Sequence, residues 1–364
     1  QSWREIIIQN LGSSAVQINN AIYLMPKQCL RITASSPSEV QLTAQSPTLL
    51  SETIEFVGYP IVTYTITITN SQSDPTPSPF QQLLQLNLSS ILSSSSQLLN
   101  LQFCLDAQCQ TPLYAWIESY NSNLSSVYIW VKLTTSIPAN SSITIYMFIR
   151  NSIQYPYTGM RPDLTSTYAQ YDNGENVFNF YDNFAGTSLN TNKWKVLQSS
   201  YYSVDNELTI DYGSSDVVIV SVQSFDMPYI VDVYAINVSS SSNSGIIFGY
   251  NGSNEYALFT YSYNLWEGTP TNDGENELQS TGYDKGGNEI VTIEVTSSEL
   301  EFEYNYQEVN TYSGSINGNG NIGFGSNSGG SANAEYYWVR VRAYPPNGVM
   351  PSNSQPQKTI ILIT

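Results

Sequence analysis

Histidine is missing altogether, and charge of either sign is scarce. The 364 residues carry 12 Lys and Arg against 30 Asp and Glu, so charged side chains make up only 12% of the chain. Without imidazole there is no Ser-His-Asp or Cys-His nucleophile, no histidine metal ligand and no histidine pH switch. A net charge of −18 with no basic patch argues against nucleic acid and anionic membrane as partners. No apolar run reaches transmembrane length, so membrane insertion is not expected. Cysteine is rare, at three. Cys104 and Cys109, in CLDAQC, are close enough to bridge a tight hairpin in an oxidising compartment. Cys29 is left over and reads as a buried small hydrophobe. A long helical pattern is lacking too.

Scarce charge suits life in acid. Near pH 3 most carboxylates are protonated and the net charge swings to roughly +9 on ordinary pKa values. A fold leaning on few ion pairs loses little there. An ordinary acidic secreted protein has the same composition. The chain begins at Gln1 rather than Met, which reads as a mature exported chain. The expected location is therefore extracellular, on a cell surface or a virion surface.

What is present in abundance is neutral and polar: Ser, Thr, Asn, Gln and 28 tyrosines. Tyrosine is a good strand former, so most of these need no ligand. Alternation with period two recurs throughout. Thr63–Thr69 alternates over its whole length, and Val127, Ile129, Val131 and Leu133 share one face while Tyr128, Trp130 and Lys132 share the other. The expected fold class is all-β, as tandem β-sandwich or jelly-roll domains. Residues 1–55 form a small N-terminal β-domain, 56–170 a β-sandwich, 175–345 a jelly roll, and 346–364 a linker and C-terminal strand. The aromatic stretch Tyr171–Trp194 is the junction, and Phe178, Phe180 and Phe184 are expected to be buried there.

The second unit resembles the domain of unknown function two-three-four-one, common in archaeal and bacterial surface proteins. The resemblance rests on Tyr64–Thr69, Thr111-Pro112-Leu113-Tyr114 with Glu118, Ile129-Trp130-Val131-Lys132, and Thr144-Ile145-Tyr146 running to Asn151. Arg150 stands where that family has glycine. No activity comes with the resemblance. The third unit resembles the concanavalin-like (laminin-G-like) jelly rolls often found directly after that domain. The matching pieces are Tyr181–Phe184 with Trp194, Val204–Ile210, Ile246 and Phe248 with Tyr256, and the exit strand Tyr337–Arg342. The pairing implies an archaeal extracellular surface protein.

Candidate chemistry is sparse. Glu299, Glu301 and Glu303 alternate on one strand face, but the carboxylate pattern of jelly-roll glycosidases is absent; a solvated face is expected, with Leu300, Phe302 and Tyr304 inward. The segment 266–288 reads as the largest loop. It carries Trp266, Glu267, Asp273, Glu275, Tyr283 and Asp284, an aromatic platform with carboxylates suited to a sugar. Loops also collect such residues for their turns. No cofactor is expected, with Ca²⁺ held by loop oxygens as the alternative; Asp172, Glu175, Asp182 and Asn183 offer a second such cluster. Glycosylation sequons stand at Asn87, Asn123, Asn140, Asn237 and Asn251, a number the composition produces by chance. Two apolar strands lie at the chain ends, with Ile6, Ile7 and Ile8 at one and Ile360, Ile361 and Ile363 at the other. Each either pairs within its own chain or completes a neighbour's sheet as a subunit contact.

These features favour a non-enzymatic structural or adhesive protein, a subunit of a surface filament, surface layer or virion spike. Its partners would be copies of itself, other surface subunits or surface glycans. The alternatives are a monomeric carbohydrate-binding module and, less favoured, a glycoside hydrolase.

Overall fold

Alternating aliphatic and polar residues build antiparallel sheets that each bury one face. The computed structural model describes residues 6–9, 16–18, 22–32, 44–45, 61–151, 172–198, 201–210, 217–238, 244–252, 255–259, 264–269, 272–280, 287–326 and 334–361. Near the N-terminus, Ile6–Gln9 pairs with Cys29–Ile32, and Val16–Ile18 pairs with Ile22–Leu24 and Ala44–Gln45.

The next unit is a sandwich of two sheets. One has three strands, in the order Ala115–Tyr120, Val127–Leu133, Phe80–Leu86. The other is built on Ile61–Asn70, flanked by Ser141–Ile149, then Leu101–Cys104 and Pro112–Leu113. Ile66, Ile68, Leu84, Leu86, Val127, Ile129, Val131 and Ile145 pack between them. Cys104 and Cys109 are disulfide-bonded, with Cα atoms 5.1 Å apart.

The larger unit is a concanavalin-like jelly roll. Its eight-stranded sheet runs Tyr202–Val204, Leu208–Ile210, Ala334–Ala343, Tyr229–Val238, Gly287–Val295, Glu299–Tyr304 and Gln307–Ser313, with Phe180–Asp182 also on Ala334–Ala343. The facing seven-stranded sheet runs Trp194–Gln198, Val217–Phe225, Gly320–Ser326, Ser244–Tyr250, Glu255–Phe259, Leu265–Thr269 and Asn272–Gln279. Val231, Val233, Val291, Ile293, Phe302, Phe324, Val339 and Val341 fill the space between.

The C-terminal segment is more than a linker and a loose strand. Ser352–Asn353 and Gln357–Ile361 return to the smaller sandwich and pair with the free side of Ile61–Asn70, placing Ile360 opposite Val62 and Ile361 opposite Ile61. Asn353 clamps this return by accepting from Gln85 N at 3.1 Å, and Gln355 by accepting from Asn87 N at 2.7 Å. Both terminal strands thus pair within the chain, Ile6 to Ile8 lying opposite Leu30 to Ile32. Neither is the wholly unpaired strand that a subunit contact by donation requires. Ile363 lies outside the described residues.

At the junction, a single helical turn, Gly174–Val177, precedes the strand Phe180–Asp182. A Cβ at Gly174 would sit 2.5 Å from the Tyr181 ring, so glycine lets the ring close on the backbone. Phe178, Phe180 and Phe184 are buried. Asp172 accepts from Trp116 Nε1 at 3.3 Å, Tyr181 Oη at 3.0 Å and Gly174 N at 3.1 Å, and from Asn183. Asp182 accepts from Trp194 Nε1 at 2.6 Å, and Glu175 pairs with Lys193. Donors from the turn and its neighbours thus occupy these oxygens.

Candidate functional site

Much of what reads as a loop in 266–288 is strand. Leu265–Thr269 and Asn272–Gln279 form a hairpin at the edge of the seven-stranded sheet. Neighbouring strand residues point to opposite faces, so Trp266 and Glu267 cannot share one sugar platform. Trp266 lies opposite Ala257, and Glu267 opposite Tyr256, whose hydroxyl it contacts. Asp273 and Glu275 lie on the second strand; Tyr283 and Asp284 fall outside the described residues. Among the sequons, Asn87, Asn123, Asn140 and Asn251 are exposed, while Asn237 lies in Tyr229–Val238. Among the described residues no three acidic or thiol groups are placed to hold a metal ion. No helix there is long and apolar enough to cross a membrane.

The most elaborate chemistry lies between the two units. Register puts the outward face of the eight-stranded sheet in three rows: Trp338–Tyr234–Ile290, Arg340–Asp232–Thr292–Glu303, and Arg342–Ile230–Glu294–Glu301. The smaller sandwich lays Trp116, Trp130 and Leu83 over this face, and Phe178 and Tyr181 close the side. Trp116 meets Trp338 and Phe178 edge-on, with ring centroids 5.4 Å apart in each pair.

Arg340 sits at the centre and is fully buried. Its Nη1 donates to Glu118 Oε2 at 2.7 Å, its Nε to Asp232 Oδ2 at 2.7 Å and its Nη2 to Tyr306 Oη at 2.7 Å. Tyr306 Oη and Trp130 Nε1 in turn donate to Glu118 Oε2, at 2.5 and 2.7 Å. The guanidinium lies 4.5 Å from the Trp130 ring, 4.7 Å from Trp338, 4.8 Å from Phe178 and 5.2 Å from Trp116. A weakly hydrated planar cation suits such an aromatic cage. Arg342 Nε reaches Asp232 Oδ2 at 2.8 Å, and Thr292 donates to Oδ1 at 2.7 Å. Burial opposes ionisation of Asp232, but the fields of Arg342 and Arg340 win and hold its pKa at about 2. Burial likewise opposes the charge on Arg340, and Tyr306, Asp232 and Glu118 more than restore it. Two cations and two anions balance in a dry space, and Lys132 adds a link from the smaller sandwich by donating to Asn176 O at 3.0 Å.

Beside this cluster a cleft of about 450 Å³ opens, lined by Leu83, Trp130, Glu294, Glu303, Arg342 and Met350 among others. The returning segment Pro345–Gln355 forms one wall. Burial first, then Glu303, Glu301 and Asp232, push Glu294 up to about 8, against the pull of Arg342. Burial and the acidic neighbours likewise push Glu303 up to about 7. Along this strand Glu299 is exposed and Glu301 half-buried, as expected of a solvated face, while half-buried Glu303 lines the cleft. Leu300 and Phe302 do point into the jelly-roll core. Neither Glu118, Arg340 nor Glu294 stood out as a site residue in the sequence. Trp and Arg alternating outward along Ala334–Ala343 were the available signal.

An all-β chain with a concanavalin-like jelly roll locked to a smaller sandwich is the class that fold and interface define. The family described as "Domain of unknown function (DUF2341)" matches residues 99–158, within the smaller sandwich and just beyond it. The chain belongs to the family of uncharacterized protein 562 of Sulfolobus islandicus rod-shaped virus 1: the two are 48% identical over 428 residues, spanning all of this chain and 71% of the relative. Among solved structures, the carbohydrate-binding module CBM66 from Bacillus subtilis is 11% identical with a TM-score of 0.36, covering 42% of this chain and 98% of that one. The β-glucanase of Bacillus licheniformis is 15% identical with a TM-score of 0.33, covering 45% and 97%.

Proposed function

We propose that the chain is a non-enzymatic structural protein of a virus exterior, a spike or surface subunit that presents the jelly roll on a rigid base. The observation that carries this reading is the sealed interface around Arg340. Enzymes that close on substrates keep their domains able to move, whereas this interface buries Arg340, Arg342, Asp232 and Glu118, paired with one another, among a set of aromatic rings. The relationship to a viral protein, over all of this chain and 71% of the relative, supports a place on the particle. The exposed sequons at Asn87, Asn123, Asn140 and Asn251 suit glycan addition on an outer surface. Immunogold labelling of intact virions with antibody against the jelly roll tests the proposal. Decoration of the particle surface is expected; label found only on disrupted particles or in infected cells would overturn it.

A further inference from the structure

The interdomain cleft has an unmatched set of walls. Arg342 is spent on Asp232, Tyr306 on Glu118 and Arg340, and Asn353 and Gln355 hold the backbone of Gln85 and Asn87. What remains is acceptor capacity. Glu294 is 7% exposed, faces the cleft and accepts no hydrogen bond from a described residue. Glu303, its diagonal neighbour across adjacent strands, also lines the cleft and is equally without a donor. A carboxylate drawn out of water without donors is costly, Glu294 being buried and Glu303 half-buried, and a guest that brings donors and positive charge relieves them. Once these carboxyls ionise, an anion meets repulsion here. A neutral polyol would then find acceptors but few unengaged donors. A metal ion would need a denser ligand set than the described residues supply. Leu83, Met350 and Pro345 add apolar wall beside the carboxylates.

We propose that this cleft binds a small organic cation of the alkylammonium type, its amino groups on Glu294 and Glu303 and its methylenes along Leu83, Met350 and Pro345. The volume is ample for a short polyamine. Burial keeps protons on the two glutamates near neutral pH, Glu294 being pushed up to about 8 and Glu303 to about 7. The groups facing them are Asp232, Arg342, Glu301, Glu308 and Tyr344. A bound cation replaces those protons, so binding and proton release are coupled.

Isothermal titration calorimetry of the full chain with spermidine tests this. Saturable one-to-one binding is expected at about pH 8.5, weakening at least about tenfold at about pH 5.5, with a heat that varies with the buffer's ionisation enthalpy. Glu294→Gln should weaken binding about tenfold or more. Glu303→Gln, on the neighbouring strand, gives the same reading independently if the first variant folds poorly. Asp74→Asn removes one exposed charge elsewhere and should leave affinity unchanged. Absence of saturable binding, equal loss in Asp74→Asn, or tighter binding of Ca²⁺ than of spermidine would overturn the proposal.

Discussion

The jelly roll and the seam between the units solve the same problem of burial with different materials. Inside the jelly roll, Val231, Ile293, Phe302, Phe324 and Val341 meet other apolar groups, and shape alone decides the fit. In the seam, Trp116, Trp130, Phe178 and Trp338 surround a guanidinium that holds Glu118 and Asp232. Apolar packing gains from every buried area and tolerates volume-conserving change. Buried charge gains little net energy when whole, and loses much when one partner goes. The seam therefore specifies one docking geometry, while the jelly-roll core supplies stability that many sequences would supply.

The largest effect should come from Arg340→Ala. It leaves two buried carboxylates without their cation and costs about 3–5 kcal/mol. Calorimetry should show the seam opening as a separate, earlier transition, with proteolysis near the junction. A single transition at the wild-type temperature would erase the distinction between seam and core. Phe302→Ala should cost about 3–4 kcal/mol by leaving a cavity in the jelly roll. Its melt should shift without splitting. Trp130→Phe keeps an aromatic ring, though a smaller one, but removes the indole donor to Glu118, for about 1–3 kcal/mol; a double-mutant cycle with Tyr306→Phe should show coupling, since both donate to one oxygen.

A further effect is one of pH and has opposite signs for two groups in the same row. Glu303 is raised in the folded chain, so its contribution is fully present below the ordinary glutamate value of 4.5 and is lost as pH rises through about 7. Glu294 behaves alike, through about 8. Asp232 is lowered, so its contribution is present above the ordinary 3.8 and lost as pH falls through about 2. Thermal melts should accordingly peak in mild acid and decline toward alkaline pH. Glu294→Gln should flatten the alkaline limb, and an unchanged limb would show that these carboxylates are already solvated.

Period-two alternation made much of this fold legible. Val127–Leu133 shows its buried aliphatic face in the sequence, and the exit strand is recognisable from Tyr337 to Arg342. The hairpin at Leu265–Thr269 and Asn272–Gln279 was hidden, because Asn, Asp, Gly and Glu are poor strand formers and cross-strand pairing overrides that preference. The seam was hidden for a different reason. A Glu, an Arg or a Trp on an outward strand position looks the same whether water or another sheet covers it, and Glu118 and Arg340 lie 222 positions apart. The clamp by Asn353 on Gln85 spans 268 and has no local signature either.

The returning C-terminal segment also has a mechanical meaning. The chain leaves the smaller sandwich from Ser141–Ile149 and comes back along Ser352–Asn353 and Gln357–Ile361, and these strands flank Ile61–Asn70 on its two sides. The jelly roll thus hangs from two anchor points at opposite ends of Ile61–Asn70: the chain leaves where Phe148 lies opposite Thr63 and re-enters where Ser352 lies opposite Thr69, roughly 20 Å away along the strand and on its other side. A single tether lets its load swivel; two set this far apart resist torque and share tension. A lobe mounted this way transmits the push and pull of an encounter straight into its base.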